Sequence, residues 1–377
     1  MDGILVSGAT GFLGSAIVEE LILTTNSPIY VLVRGRDGRT PEQRLESLWC
    51  ERPVLHSALA NRIRPLEGDI ESEMLGLGRD AYDKLANEVS NVIHSAAMVG
   101  VNETRQRFWN ANVVGTANML DFAKRAIELG GLGRLVHVSS SYVAGQARGR
   151  IEEELFVNTD FNSLYEQSKH DAELLVYAYG EEGVPYTIVR PAQIIGDSRT
   201  GFITTFNTLY YPLKLYLKGR LPVIPASRDL IVNMAPVDYV ARIVCRAIGN
   251  AQAEGQVLNA VPPEGSAPRL GDLLDSVRLW ASENLGVALP APVYLPAGEL
   301  ASAGRRRNMR EDDHPKAKSP LRNLAALGPY FFEDRVFETA RAGRCRRALP
   351  RLARFLPAAF GIRRAPRLPQ PKRAHGL

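Results

Sequence analysis

Tyr165 and Lys169 are the residues of this sequence whose types and spacing point most directly to chemistry. They bound the stretch Tyr165-Glu166-Gln167-Ser168-Lys169, which is predicted to be helical, and residues four positions apart share one helix face. A phenol with a pKa of ~10 is a poor acid-base group at neutral pH, but a neighbouring ammonium favours the phenolate and lowers that pKa. The pair can then pass a proton to a carbonyl oxygen as hydride reaches the carbon. The alternative interpretation is a solvated helix face.

Three consecutive serines, Ser139, Ser140 and Ser141, could supply the hydroxyl that such chemistry also needs. They follow Leu135-Val136-His137-Val138, a short apolar run that predicts a strand. A hydroxyl at the end of that strand would orient the carbonyl and stabilise its developing negative charge. A Tyr/Lys pair that follows a strand ending in serines is much rarer than the pair alone, and the combination favours catalysis.

The beginning of the chain predicts the unit that would hold a cofactor. Ile4-Leu5-Val6 reads as a buried strand, and Ser15 to Leu23 reads as an amphipathic helix after a glycine turn. Gly8 allows a sharp exit from the strand, Gly11 removes a Cβ that would block a phosphate, and Gly14 lets helix and strand pack closely. The helix start offers unpaired N–H groups and a positive dipole end. A plain tight turn is the alternative.

The next strand end suggests which dinucleotide is bound. Pro28 to Val33 reads as a second strand, and Arg34-Gly35-Arg36 follows it. A fold selective for NAD usually has an acidic residue here for the ribose hydroxyls, whereas arginines suit a 2′-phosphate. The predicted cofactor is therefore NADPH, held by Arg34 and Arg36. Asp37 lies close by, so solvated loop charges are the alternative.

Later strand ends add candidate contacts. Asp69 follows a third predicted strand and could lie beside the adenine or cap the next helix. A fourth strand is followed by small residues, Ser95 to Ala97, against which a ribose could lie. His94 is left out of the site, because a lone histidine is more often structural. Strands that alternate with helices in this way predict a parallel, doubly wound α/β sheet of the Rossmann type.

Four motifs together resemble the extended short-chain dehydrogenase/reductase family. They are Gly8 to Gly14, Asn112-Val113-Val114-Gly115-Thr116, Ser139 to Gly145 and Tyr165 to Lys169. The resemblance implies that Tyr165, Lys169 and one serine form the catalytic set, with Asn112 supporting a proton-relay water. Counted back from Gly145, the family's serine falls on Ser140, with Ser141 as the alternative.

The stretch from Val189 to Gly201 resembles the thioester reductase branch of that family. It contains Arg-Pro followed by Gly-Asp-Ser-x-Thr-Gly, as do fatty acyl-CoA reductases and the terminal reductase domains of peptide synthetases and carboxylic acid reductases. Val33-Arg34 and Pro236 to Ala241 add to the resemblance, which covers residues 1–260. It implies that NADPH reduces an acyl thioester to an aldehyde, with a second step to the alcohol left open. Ala192-Gln193 stands where this branch commonly has a glycine after Arg-Pro. The resemblance therefore does not determine the substrate pocket.

The candidate cofactor-binding residues are Gly8, Thr10, Gly11, Phe12, Leu13, Gly14, Arg34, Arg36, Asp69, Ile70, Ser95, Ala96, Ala97, Lys169, Pro191 and Ile194. The adenylation and carrier domains of multidomain relatives are not found in these 377 residues. We therefore expect the thioester to arrive as a CoA ester or on a separate acyl or peptidyl carrier protein.

The expected organisation is a large domain over residues 1–260, interleaved with substrate-lobe segments near 196–235. A smaller C-terminal lobe over 261–340 and a basic tail over 341–377 follow. Residues 301–377 hold 19 Lys and Arg against 6 Asp and Glu, whereas residues 1–300 hold 27 against 35. The tail could dock to an acidic carrier protein, associate weakly with an anionic membrane, or have no specific role. Nucleic-acid binding is not expected, because few stacking aromatics accompany the basic residues.

Cys50, Cys245 and Cys345 are far apart and match no metal-ligand or disulfide spacing, so we expect no metal and a reducing compartment. No run reaches ~18 apolar residues, and the first strand is too short and lacks the basic flank of a signal peptide. These features predict a soluble, cytoplasmic protein, either a monomer or a dimer.

Two other functions stay open at this point. One is an NAD(P)-dependent ketone, sterol-type or sugar-nucleotide oxidoreductase or epimerase of the same family. Epimerases retain and reuse NAD, which Arg34 and Arg36 argue against. The other is a non-catalytic NADP-binding sensor or scaffold, which the presence of the Tyr165 and Lys169 pair argues against.

Overall fold

The computed structural model of the protein describes residues 2–35, 38–100, 103–156, 160–206, 209–221, 223–224, 226–294 and 335–345. Its strands are β1 (Gly3–Ser7), β2 (Ile29–Val33), β3 (Ile63–Glu67), β4 (Val89–His94), β5 (Arg134–Val138), β6 (Gly149–Ile151), β7 (Tyr186–Pro191), β8 (Gln193–Ile195), β9 (Val223–Ile224), β10 (Met234–Pro236), β11 (Gln256–Ala260), β12 (Val293–Tyr294) and β13 (Arg335–Phe337). Its helices are α1 (Phe12–Thr24), α2 (Pro41–Trp49), α3 (Pro53–Leu59), α4 (Arg79–Glu88), α5 (Arg105–Phe108), α6 (Gly115–Leu129), α7 (Leu164–Glu181), α8 (Tyr210–Leu217), α9 (Val237–Gly249), α10 (Leu270–Leu285) and α11 (Ala340–Gly343).

Seven of these strands form one sheet in the order β11-β7-β5-β4-β1-β2-β3, and each neighbouring pair is parallel. The chain runs outward from β1 in both directions, so the strand order reverses between β1 and β4. Ligands of open parallel sheets bind at the carboxyl ends of the strands at such a reversal. The predicted doubly wound Rossmann-type sheet is confirmed.

The two faces of the sheet pack against helices in two separate hydrophobic clusters. On β1, Ile4 and Val6 face the cluster that includes α1 and α9, whereas Leu5 faces the one that includes α4 and α6. Successive side chains of a strand point to opposite faces of the sheet, which explains this alternation. The continuous apolar run of β1 is typical of a strand that is buried on both faces. The layered core holds the carboxyl ends of the strands in fixed positions.

A third hydrophobic cluster forms the smaller lobe. This cluster packs α8 and the chain that follows it, as far as Met234, against α10. Val277 and Trp280 of α10 are among its buried residues. The segments predicted near 196–235 therefore share a core with residues beyond 261. The paired strands β8 and β10 connect this lobe to the end of β7.

Residues 335–345 pack on the large domain. Phe337, Ala342 and Cys345 belong to the same cluster as α1 and α9. The predicted tail boundary at residue 341 is therefore wrong for residues 341–345, because these residues are part of the large core. The rest of the predicted basic tail, 346–377, lies outside the described residues. In the part of the chain that the structure describes, no helix is both long and apolar enough to cross a membrane.

Candidate functional site

The glycine turn between β1 and α1 has the shape of a diphosphate cradle. Gly8 has φ +78°, and a Cβ there would lie 2.6 Å from the Ala96 nitrogen. A Cβ on Gly14 would lie 2.0 Å from the Gly8 oxygen, so strand and helix could not approach as they do. Gly11 is exposed and is the N-cap of α1, which has neither a side-chain cap nor an acidic residue in its first turn. The turn therefore presents a positive helix end that fits a dinucleotide diphosphate.

The exits of β1 and β4 meet beside this turn. The Ser95 N–H donates to the Ser7 oxygen over 3.3 Å, and the Ala96 N–H donates to Ser7 Oγ over 3.2 Å. Ser95, Ala96 and Ala97 are half-buried, as are Thr10, Phe12 and Leu13 in the turn. The structure thus brings these predicted cofactor residues to one edge of the sheet.

The predicted adenosine side of the site is built from the ends of β2 and β3. Arg34 is 61% exposed and forms an ion pair of 3.5 Å with Glu71. Asp69 accepts a 3.0 Å hydrogen bond from the Glu71 N–H, so it closes a local turn beside Arg34. Ile70 is buried and packs against Gly115, where a Cβ would approach it to 2.7 Å. Arg36 lies outside the described residues.

Tyr165 and Ser140 come together at the carboxyl end of β5. Tyr165 is half-buried in the first turn of α7, and the Ser140 side chain is close enough to its phenol to lower the phenol pKa. Ser140 Oγ also accepts the Tyr142 N–H over 3.2 Å at the start of the turn Ser141–Ala144. Ser140 rather than Ser141 is therefore the serine at the phenol.

Lys169 lies one helical turn after Tyr165 on α7 and is 2% exposed. Its Nζ donates to the Val138 carbonyl over 2.8 Å and lies 3.5 Å from Nε2 of His137. Burial lowers the pKa of Lys169 to about 8, although the Glu173 carboxylate opposes that shift. The predicted lowering of the phenol pKa is wrong in this structure, because burial raises the pKa of Tyr165 although the nearby Ser140 side chain opposes that shift.

Comparison with known proteins shows the family of this chain. A family model described as Male sterility protein matches residues 6–244, which include the glycine turn, Ser140, Tyr165 and Lys169. The chain belongs to this family. It is the thioester reductase branch of the extended short-chain dehydrogenases/reductases, a family of nicotinamide-dependent oxidoreductases.

Two relatives show how far the thioester reductase likeness extends. Over 315 residues the chain is 31% identical to the L-2-aminoadipate reductase large subunit of Penicillium chrysogenum, covering 78% of this chain and 21% of that protein. The chain thus spans about a fifth of the length of that curated relative. The terminal R domain from the myxalamid PKS-NRPS biosynthetic pathway is 25% identical, with a TM-score of 0.76, over 96% of this chain and 89% of that one.

A third similar protein shows the fold alone. A thiolation-reductase di-domain from an archaeal non-ribosomal peptide synthetase is 22% identical, with a TM-score of 0.68. The alignment covers 88% of this chain and 66% of that one. The chain therefore shares the reductase fold with domains that belong to larger assemblies.

The chain holds Asn112 in a π-helical turn, Trp109–Val114, which ends where α6 begins. The Asn112 side chain accepts the Met98 N–H over 2.7 Å, and its amide donates to the Met98 oxygen (3.1 Å) and to Ser168 Oγ (2.9 Å). It thereby ties the exit of β4 to α7. Its support of a proton-relay water stays a prediction.

His94 has the structural role expected of it. The Thr116 hydroxyl donates to the Asn112 carbonyl over 2.6 Å, so it accepts from His94 Nε2 over 3.1 Å, and His94 Nδ1 accepts from Ser7 over 2.7 Å. Burial lowers the pKa of His94 to about 3, which keeps the ring neutral. This chain of bonds connects the glycine turn to the helix that carries Asn112.

Sequence reasoning missed several residues that shape the site. Arg190 forms a buried two-point ion pair with Glu173, at 2.9 and 2.6 Å, and the Tyr142 hydroxyl donates to Gln193 over 2.8 Å. Helical spacing from Lys169 to Glu173 was the available signal for the first pair. The second pair joins the serine turn to Gln193, one of the two residues that differ from the family's usual glycine.

Two predicted cofactor residues lie in paired strands. Pro191 pairs with Ala260 and Ile194 pairs with Ala235, and their contact with a cofactor stays a prediction.

The pKa of Lys169 leads to a prediction about pH. Burial disfavours the charged form, so the ammonium is present below pH 8 and is lost above it. Because Lys169 is a predicted cofactor residue, kcat/KM for the nicotinamide cofactor should fall about tenfold per pH unit above that value. In Lys169→Arg this fall of kcat/KM should begin at a higher pH, since a guanidinium keeps its charge. A wild-type profile that stays flat to about pH 10 would contradict this origin.

Proposed function

We propose that this protein is an NADPH-dependent reductase that converts an acyl thioester into an aldehyde. The observation that carries the proposal is the approach of Ser140 to the Tyr165 phenol at the carboxyl end of β5, with Lys169 one helical turn further along α7 and the glycine turn at the same edge of the sheet. The family assignment and the likeness to reductase domains support a thioester as substrate.

The proposed mechanism divides the work among these residues. The glycine turn and the start of α1 would hold the diphosphate, and a bound nicotinamide would supply the hydride that reduces the thioester carbonyl carbon. Ser140 orients the carbonyl oxygen, Tyr165 donates a proton to it, and the Lys169 ammonium stabilises the resulting phenolate. The hydroxyl proton then returns to Tyr165 as the C–S bond breaks, and the departing thiolate takes a proton from solvent. The net products are an aldehyde and a free thiol.

Deuterium tracing tests this function against the alternatives. The protein is incubated with NADPH deuterated at the transferred position and with acyl-CoA, acyl-carrier, ketone and sugar-nucleotide panels. Label in an aldehyde derived from a thioester is expected, and label in the corresponding alcohol would add a second hydride transfer. Label only in a secondary alcohol would overturn the thioester proposal in favour of ketone reduction.

The choice of NADPH rests on the arginines after β2. The Arg34 side chain is exposed and lies beside the β3 exit, which is where a 2′-phosphate would approach. Replacing Arg34 and Arg36 together by alanine should weaken NADPH binding about 10- to 100-fold, because charge-assisted hydrogen bonds are lost. NADH binding should change little, as measured by fluorescence titration.

Arg64→Ala is the matched control, because Arg64 is exposed on the neighbouring strand β3 and bonds only the Asn61 carbonyl among the described residues. It should leave both affinities unchanged. An equal loss of NADPH and NADH binding in the double variant would show that the arginines do not read the 2′-phosphate.

A further inference from the structure

Strand β13 returns the chain to the active-site region from far beyond the family match, which ends at residue 244. β13 runs parallel to β6, and Arg335 is in register with Gly149. Shortly after β6, the Glu153 carboxylate accepts hydrogen bonds from the N–H groups of Asn259 (2.9 Å), Arg341 (2.6 Å) and Ala342 (3.0 Å). These bonds hold residues 335–345 firmly against the large domain.

The side chain of Arg335 reaches the loop that carries the catalytic serine. Arg335 is 6% exposed, and its Nη2 donates to the carbonyl of Gly145. Gly145 ends the turn Ser141–Ala144 with φ +56°, a left-handed conformation that favours glycine. Its carbonyl therefore has a fixed direction, five residues after Ser140.

The same carbonyl also binds the start of the helix that carries Tyr165. Asn162 Nδ2 donates to the Gly145 oxygen over 3.1 Å. The Asn162 N–H donates to the Glu166 carboxylate over 2.7 Å, which sets the first turn of α7. One carbonyl thus connects three elements: β13, the serine turn and α7.

We propose that Arg335 is a positioning residue of the active site. By binding the Gly145 carbonyl together with Asn162, it holds the Ser140 turn against the Tyr165 helix. The guanidinium is buried and charged, so its bond to a carbonyl is stronger than a neutral one. The proposal deepens the proposed function, because it concerns the geometry of the same proton donor.

The test compares Arg335→Met with Arg335→Lys and with Arg344→Met, which changes an exposed arginine of the same segment that bonds Gln252. In Arg335→Met, kcat for the carbonyl compound that takes up deuterium should fall about 10- to 100-fold, whereas NADPH affinity should stay within twofold. Arg335→Lys should restore part of that loss, and Arg344→Met should match the wild type. In a Ser140→Ala background, Arg335→Met should add little, because both changes damage the same geometry.

Amide hydrogen exchange makes the test independent of turnover. Arg335→Met should speed exchange in residues 141–147 and 162–168 and leave the start of α1 unchanged. Unchanged exchange in both segments would overturn the proposal, and so would a kcat loss that is fully additive with Ser140→Ala. If the exchange changes as expected and no thioester takes up label, the proposed function fails while the positioning role of Arg335 stands.

Discussion

Replacing Tyr165 by phenylalanine should lower kcat by about 10²- to 10⁴-fold, the range that a positioned proton donor contributes. The hydroxyl is the group that the Ser140 side chain approaches, and the variant removes it alone. The ring should stay in place, because it packs against Phe108 with centroids 6.2 Å apart. Single-turnover hydride transfer measures the loss, and NADPH affinity should change less than about twofold.

Tyr177→Phe is the matched control for this prediction. Tyr177 lies on the same helix and is 42% exposed, so loss of its hydroxyl should leave kcat unchanged. A Tyr165→Phe variant with kcat within fivefold of the wild type would move the proton donor elsewhere. Tyr142 would then be the phenol to test, although its hydroxyl already donates to Gln193.

The parts of the site that sequence could predict are those encoded by short spacings. Gly8 and Gly14 are required by contacts within one turn, and Tyr165 and Lys169 share a helix face because they are four residues apart. The parallel sheet also followed from local patterns, since each strand is a short apolar run before a helix. Local sequence therefore determined which residue types meet at the sheet edge.

The parts that sequence could not predict depend on burial and on distant contacts. The direction of the Tyr165 pKa shift is set by desolvation, and the direct partner of Lys169 is the Val138 carbonyl. Arg335 meets Gly145 across 190 positions, a pairing that no periodicity encodes. The boundary at residue 341 was wrong for the same reason: basic composition predicts exposure, whereas Ala342 and Cys345 complete the core.

Replacing Glu173 by glutamine should lower the free energy of unfolding by about 3 to 5 kcal/mol, because it leaves the Arg190 guanidinium buried without its counter-charge. Both side chains of this ion pair are at most 1% exposed, so water cannot replace the carboxylate. The pKa of Lys169 should fall further as well, since Glu173 is the charge that opposes its lowering by burial. Urea unfolding measures the first effect, and the alkaline limb of the pH profile measures the second.

Glu182→Gln provides the comparison, because Glu182 pairs with Lys124 at the surface and is 56% exposed. That exposed pair should contribute less than about 1 kcal/mol. Equal stability losses in the two variants would mean that the Arg190 pair behaves as a solvated one. A large stability loss with an unchanged alkaline limb of the pH profile would separate the stability effect from the effect on the pKa of Lys169. Glu173 would then stabilise the packing of α7 on β7 without shifting the pKa of the lysine that lies one helical turn before it.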